Sequence, residues 1–544
     1  MHEIYSLSTY AISPDSVKCI QGYETIKAEY SAYLTDESKI NSTPFDYLYF
    51  PRNEEELAAV IKDLHARKIP LTIAGARTGL VGGCVPQGGA LVSLELFDAV
   101  EALYQNPFSG EWLLRVQTGV SLKTLDGMLR MKKFSNLEVS QDEFIQTELE
   151  RFKNDQASYF YPPDPTEMSA SLGGSVVTNA SGARTYRYGP TRAWVRGIRV
   201  FLANGEYLDI PRGKYFASPA GRFTVYDTKG KSYSFTIPNY PLPRTKSTSG
   251  IFTAPQMDLI DLFIGSEGIF GIVTRVDVAL MKREDKISIV QFVDSDEQAI
   301  DLTIALRDNP NLQMDFLEFY STNALNLLRE RQQREPSAVG MPMLPEDAKS
   351  AIFFEMSFDP RAEKMDFSEL EKTIIQCGAS IERSWIGYES RELDRFKVFR
   401  HLIPETVNEI IAERKKTYPG LHKLGTDLAV PDEHLRDMWK LYRDGCTKGN
   451  FEWLAFGHIG NNHLHINILP RDLKDQENGL DLYAAFAKKA VEFGGAVSAE
   501  HGVGKIKGKF FKLMYSDEQI DQMRQVKNAL DPDGILNPGD IFGN

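Results

Sequence analysis

Two glycine-dense segments constrain this chain more than any other feature. The first, IAGARTGLVGGCVP at 73–86, sets Gly75, Gly79, Gly82 and Gly83 behind a short apolar stretch, with Thr78 among them. Glycine admits left-handed dihedrals and a close approach, so successive backbone N–H groups in such a loop can converge on an anion. The spacing fits neither G-x-G-x-x-G nor G-x-x-x-x-G-K-[ST], so the usual nicotinamide and nucleoside-triphosphate readings lose support. On these residues alone, a phosphate cradle and plain turns stand level. The second segment, YPPDPTEMSASLGGSVVTNASGARTYRYGPTRAWVRGIRV at 161–200, changes that balance. It groups Gly173, Gly174 and Gly182 with Ser169, Thr178 and Asn179, small and hydroxylated residues against which a large planar cofactor can lie.

At 544 residues the chain exceeds what one hydrophobic core usually organises, so two or three units are expected. Its 42% hydrophobic and 25% charged residues are those of an ordinary globular protein. A formal charge of -13 repels polyanions, so nucleic acid is not an expected partner and an anionic substrate needs local Arg or Lys. Cys19, Cys84, Cys377 and Cys446 form no CxxC pair, which removes iron–sulfur and structural-zinc readings of the usual spacing. Residues 1–27 show no basic start followed by an apolar stretch, and no apolar run approaches the ~18 residues of a membrane span. A cytoplasmic location, or a peripheral one at the inner membrane face, is expected.

Helical periodicity runs over 54–68, followed by strands at 69–74 and 90–94. The alternation returns at 192–208 around the turn Asn204-Gly205. Residues 211–254, rich in Pro, Ser, Thr and Gly, read as an elaborated loop, either a lid or a partner surface. After a strand at 272–281, longer helical patterns to about Tyr442 suggest a second domain capping the first.

Chemistry concentrates near the C-terminus. FGHIGNNHLHIN at 456–467 supplies His458, His463 and His465, and SAEHGVGK at 498–505 supplies Glu500 and His501. In a strand, His463 and His465 share a face. Two imidazoles and a carboxylate suit a divalent transition metal with open positions, a chance cluster of satisfied histidines being the plainer alternative.

The glycine segments, with LFIGSEGIFGIVT at 262–274, resemble the FAD-binding domain of the vanillyl-alcohol oxidase and p-cresol methylhydroxylase superfamily over most of 45–285. That resemblance implies an α+β fold with a two-lobed FAD-binding domain over 45–285, including the inserted loop. An N-terminal extension over 1–44 precedes it, an α+β substrate-binding cap over 286–494 follows, and 495–544 returns to the flavin domain. It puts the pyrophosphate of a non-covalent FAD at Gly75, Ala76, Arg77, Thr78, Gly79, Gly82 and Gly83. The ribityl chain and isoalloxazine would run along Asp164, Ser169, Gly173, Gly174, Thr178, Asn179 and Gly182. Gly265, Glu267, Gly268, Ile272 and Val273 would continue that surface, with Asn537 from the tail. Cys84 invites a covalent-flavin reading, against which members with this motif pattern usually bind FAD non-covalently and a buried small thiol is plainer.

The histidine and glutamate segments resemble the C-terminal signature of FAD-linked D-2-hydroxy-acid dehydrogenases, the group of D-lactate and D-2-hydroxyglutarate dehydrogenases and the glycolate oxidase flavoprotein subunit. By position this implies His458, His465 and Glu500 as ligands of zinc or manganese, Asn467 as a substrate contact and His501 as the catalytic base. The family pattern is G-H-x-G-D-G-N-x-H-x-N, from which the chain departs at Asn461, Asn462 and His463. His463 is therefore open as a substrate contact, a group behind a ligand, or an extra ligand. Arg400, in FKVFRHLIPE, matches the arginine that pairs with the substrate carboxylate. HKLGTDLAVP resembles a D-lactate dehydrogenase stretch and brings Lys423 near a substrate lysine two residues out of register.

The implied reaction takes a D-lactate-like 2-hydroxy acid to the 2-oxo acid with a metal-polarised hydroxyl. Electrons would pass through FAD to an acceptor other than NAD: a quinone, a cytochrome or an electron-transfer flavoprotein. A homodimer is left open. The rivals are a metallohydrolase using His458, His465 and Glu500, a synthase of the alkyl-dihydroxyacetone-phosphate type on the same fold, and a non-catalytic electron-transfer subunit.

Overall fold

The computed structural model describes residues 12–335, 340–358 and 366–543. The helix Glu54–Ala66 begins where the Asn53 side chain accepts the Glu56 N–H, and it buries Leu57, Val60, Ile61 and Leu64. That apolar face lies over a four-stranded sheet in the order Cys19–Gln21, Tyr47–Tyr49, Ala90–Ser93, Leu71–Ala74. The last three strands are parallel. Ile535 and Leu536 join this core, and the Asn537 N–H donates to Leu71 O, so the tail closes the lobe.

A second lobe is a five-stranded antiparallel sheet, ordered Val100–Gln105, Trp112–Gln117, Ile272–Ala279, Val195–Phe201, Tyr207–Pro211. The third unit is an eight-stranded antiparallel sheet. Its path runs Ser384–Gly387, Asp285–Val293, Ser350–Phe358, Met314–Tyr320, Trp453–Gly457, His463–Ile468, Leu424–Gly425, and Leu428–Ala429 also pairs with His463–Ile468. Among the described residues no helix is long and apolar enough to cross a membrane.

Two regions differ from the sequence expectation. The described part of the N-terminal extension is built into the first lobe: Cys19–Gln21 adds a strand, and the helix Tyr23–Glu29 sinks Ile26 against Phe45, Leu48 and Phe50. The 211–254 stretch is more than a loop. It holds an antiparallel hairpin, Arg222–Tyr226 with Ser232–Thr236, whose alternation buries Phe223, Val225, Tyr233 and Phe235 in the same core as the helix Asp517–Leu530. Beyond the hairpin, the Thr248 N–H donates to Ser498 O (2.8 Å) and the Ser498 N–H to Ser249 Oγ (3.0 Å), fastening the insertion beside Glu500.

Candidate active site

The first glycine loop leaves the strand Leu71–Ala74 and is shaped by contacts that exclude side chains. A Cβ on Gly75 would fall 2.3 Å from Ser171 Oγ, and one on Gly82, which has φ +75°, 2.3 Å from Ile40. Arg77 has a left-handed backbone and lies over the Tyr33 ring, 4.0 Å from its centroid. Cys84 faces Asp36 across 3.8 Å, and burial together with Asp36 and Asp540 pushes its thiol up to about 12. In the second segment a Cβ on Gly182 would strike Asp164 O at 1.7 Å, and one on Gly173 would meet Thr118 at 2.5 Å. Thr178 Oγ1 donates to Gly174 O (2.8 Å), and Asn179, also left-handed, accepts the Arg192 N–H (2.9 Å). Ser169 is exposed at the rim.

Glu267 and Asn537 act on the protein itself. Glu267 accepts the N–H groups of Val503 (2.7 Å) and Gly504 (2.8 Å), while Asn537 accepts from Ile73 N–H (2.9 Å) and donates to Glu267 O (2.8 Å). Ile272 and Val273 are buried strand residues next to Gly271 and Gly268. A cavity of about 370 Å³ lies where the second segment meets the 211–254 insertion, lined by Asn179, Ser181, Lys246, Gly265 and Ala499 among others.

The histidines meet at Glu500. His463, His465 and Asn467 alternate along the strand His463–Ile468, while His458 ends the strand pairing with it. His458 Nε2 is 3.2 Å from Glu500 Oε1, His463 Nδ1 is 3.8 Å from the same oxygen, and His465 Nε2 is 3.9 Å from Oε2. One donor atom from each of these four residues lies within 4.8 Å of the others. Burial opposes ionisation of Glu500, but His458 and Lys246 outweigh it and hold the carboxyl well below its ordinary value. Burial pushes His465 well below the usual imidazole range and His463 down to about 4, so both are neutral imidazoles with a free lone pair. That donor chemistry fits a divalent transition metal.

Arg400 comes from the long helix Ser390–Lys415. Pro404 supplies no N–H one turn later, which leaves the Arg400 carbonyl without its helical donor. The guanidinium donates from Nε to Glu318 Oε1 (3.1 Å), and the same oxygen is 3.2 Å from His458 Nδ1. Arg400 Nη2 is buried without an aligned acceptor. The cap arginine and the histidine cluster are thus one carboxylate apart. His501 is partly exposed, with Nδ1 3.3 Å from Asp427 Oδ2; burial, set against that carboxylate, lowers its imidazole below the usual value. Asn467 donates to His465 O (3.3 Å). Lys423 is not brought to the cluster, its ammonium bonding Asn408 Oδ1 (2.9 Å).

Comparison with known proteins accounts for both halves of this arrangement. Residues 282–541 match the model for the FAD linked oxidases, C-terminal domain, and residues 45–142 and 146–211 match the FAD binding domain. The chain belongs to the FAD-linked oxidase family. It is 25% identical to the D-2-hydroxyglutarate dehydrogenase of Stutzerimonas stutzeri, covering 94% of this chain and 96% of that protein. It is 27% identical to glycolate oxidase subunit GlcD of Bacillus subtilis, covering 91% and 89%, and 26% identical to the D-lactate dehydrogenase of Anaerostipes hadrus, covering 90% and 87%. Among solved structures, an alkyldihydroxyacetonephosphate synthase superposes with a TM-score of 0.57 at 12% identity, over 92% of this chain and 77% of that one, a likeness of fold.

In this FAD-linked oxidase three side chains in contact with the cluster escaped the sequence reading. Lys246, from the 211–254 insertion, is buried against Glu500 and donates to Gly182 O (3.1 Å), joining the second glycine segment to the cluster. Asp427, in TDLAVP, accepts the N–H groups of Glu500 and His501 (both 3.1 Å), Ser498 Oγ (2.8 Å) and Lys507 Nζ (2.5 Å). Glu318 is the single acid buried between Arg400 and His458, and those two cations outweigh its burial to hold it at about 2. Its only sequence signal is a carboxylate inside the apolar strand MDFLEFY, which demands a partner.

Proposed function

We propose that this flavoenzyme oxidises a D-2-hydroxy acid of the lactate type to the 2-oxo acid and passes the electrons to an acceptor other than NAD. The observation that carries the reading is the Glu318 bridge, which sets a carboxylate-binding arginine beside the imidazole and carboxylate cluster that adjoins the flavin-binding walls. The names of the three relatives support the same substrate class. A metallohydrolase gives no reason for the FAD-binding segment.

The donor CH–OH must lose two electrons and two protons. Bound FAD would supply the acceptor for the α-hydrogen and its electron pair as a hydride, and a divalent cation held by His458, His465 and Glu500 would supply Lewis acidity toward the substrate hydroxyl. Arg400 binds and orients the substrate carboxylate through its fork of donors. Asp427, 3.3 Å from His501 Nδ1, keeps the proton on that nitrogen and leaves Nε2 to take the hydroxyl proton. Buried Lys246 holds Glu500 ionised.

The test is anaerobic flavin bleaching by the two enantiomers of lactate and 2-hydroxyglutarate, and by glycolate. D-enantiomers should bleach the flavin, and a chelator should slow bleaching without releasing FAD. No bleaching by any of them, or a preference for L-enantiomers, sinks the proposal.

A further inference from the structure

The three histidines around Glu500 share one arrangement. Each presents one ring nitrogen to an acceptor behind it: His458 Nδ1 to Glu318 Oε1 at 3.2 Å, His465 Nδ1 to Thr426 O at 3.1 Å, His463 Nε2 to Asp427 Oδ1 at 3.0 Å. The opposite nitrogen of each ring is then the one near Glu500. Such outer acceptors fix the tautomer and raise the basicity of an imidazole that binds a metal. His463 is fully buried, and its Nδ1, the nitrogen turned toward Glu500, has no hydrogen-bond partner. A buried polar group left so is costly, and it marks a place where an ion belongs.

We infer that His463 is a metal ligand through Nδ1, making the centre a three-histidine, one-carboxylate site in place of the two-histidine site that the family resemblance implies. The inference rests on the metal-dependent reading above and goes past it. Four ligands about 2.0–2.1 Å from one ion in a tetrahedral shell lie ~3.4 Å apart. The four donor atoms, within 4.8 Å of one another, reach that spacing by side-chain shifts on the order of an ångström. Three neutral imidazoles and one carboxylate leave a divalent ion with a net single positive charge, which still attracts a hydroxy-acid anion. Nitrogen donors also move the preference away from manganese, which favours oxygen, and toward zinc. Four protein ligands would fill a tetrahedral shell, so a substrate oxygen enters only by expansion to five-coordination.

The position departs from the family pattern, which has Asn where His463 stands. Restoring that residue makes the test. FAD holoenzyme stripped of metal is titrated with Zn(II) against a competing chelator, and the loaded sample is measured by X-ray absorption, which counts imidazoles. Wild type should show three imidazoles. His463→Asn should show two and bind Zn(II) on the order of 100-fold more weakly. His463→Gln serves as a second variant, and retained flavin absorbance in either reports a folded protein. Two imidazoles in wild type, or an affinity unchanged by both variants, overturns the assignment of His463 while leaving the metal centre standing. Wild type that takes up no Zn(II) overturns the assignment and the metal-dependent reading together.

Discussion

At Gly182 the shape is made by backbone, and around Glu500 it is made by side chains. At Gly182 the limiting neighbour is a main-chain oxygen, Asp164 O, and nothing there can rotate away. At the Glu500 carboxylate the neighbours are charged or polar side chains, Lys246, His458, His463 and His465. The cofactor walls therefore fail by steric exclusion, which is insensitive to charge. The cluster fails by losing a single proton acceptor or donor, with its shape left intact. The two regions are joined by Lys246, which touches Gly182 O on one side and Glu500 on the other.

The largest effect should separate them. His501→Ala removes the proposed base, on whose ring no backbone contact depends, so FAD should stay bound while its reduction by substrate slows by about 10²–10⁴-fold. Stopped-flow bleaching at matched flavin occupancy measures it, and normal bleaching in the variant would remove His501 as the base. Gly182→Ala should do the reverse. The added methyl must push two backbone segments apart, costing about 1–3 kcal/mol of stability and releasing flavin. Thermal melting with and without added FAD reads both. A variant that melts like wild type and keeps its flavin would show that the close approach at Asp164 is not what shapes the wall.

Much of this contrast was legible in the sequence, for physical reasons. Gly75, Gly82, Gly173 and Gly182 stood out because a tight approach leaves only one residue type. The shared face of His463 and His465 followed from the two-residue period of a strand, and the helix over 54–66 from its apolar stripe. Lys246 was hidden because it lies 254 residues from Glu500 in a proline- and serine-rich stretch that carries no periodicity. Asp427 sat in a segment already set beside a D-lactate dehydrogenase stretch, but only the return of the tail shows that six donor atoms converge on it. Glu267 and Asn537 read as cofactor contacts because of their motif. Their partners are backbone groups that tie the tail to the glycine walls, a role that a linear pattern does not distinguish.

The smallest effect lies in the cradle itself. Cys84 borders the loop expected to hold pyrophosphate, and a covalent link from it to flavin would require a thiolate. Burial, with Asp36 and Asp540 nearby, raises its thiol to about 12, so at pH 8 the thiolate fraction is roughly 10⁻⁴. The thiolate gains with rising pH, so alkylation by iodoacetamide should accelerate about tenfold per pH unit through pH 8–10, where an ordinary thiol levels off above ~8.5. FAD should come free on acid denaturation, and Cys84→Ala should hold it as wild type does. Flavin that stays on the polypeptide after denaturation, or labelling at pH 8 as fast as a free thiol, would make Cys84 a reactive group. It would also show that the cradle, like the cluster at Glu500, depends on a charged side chain.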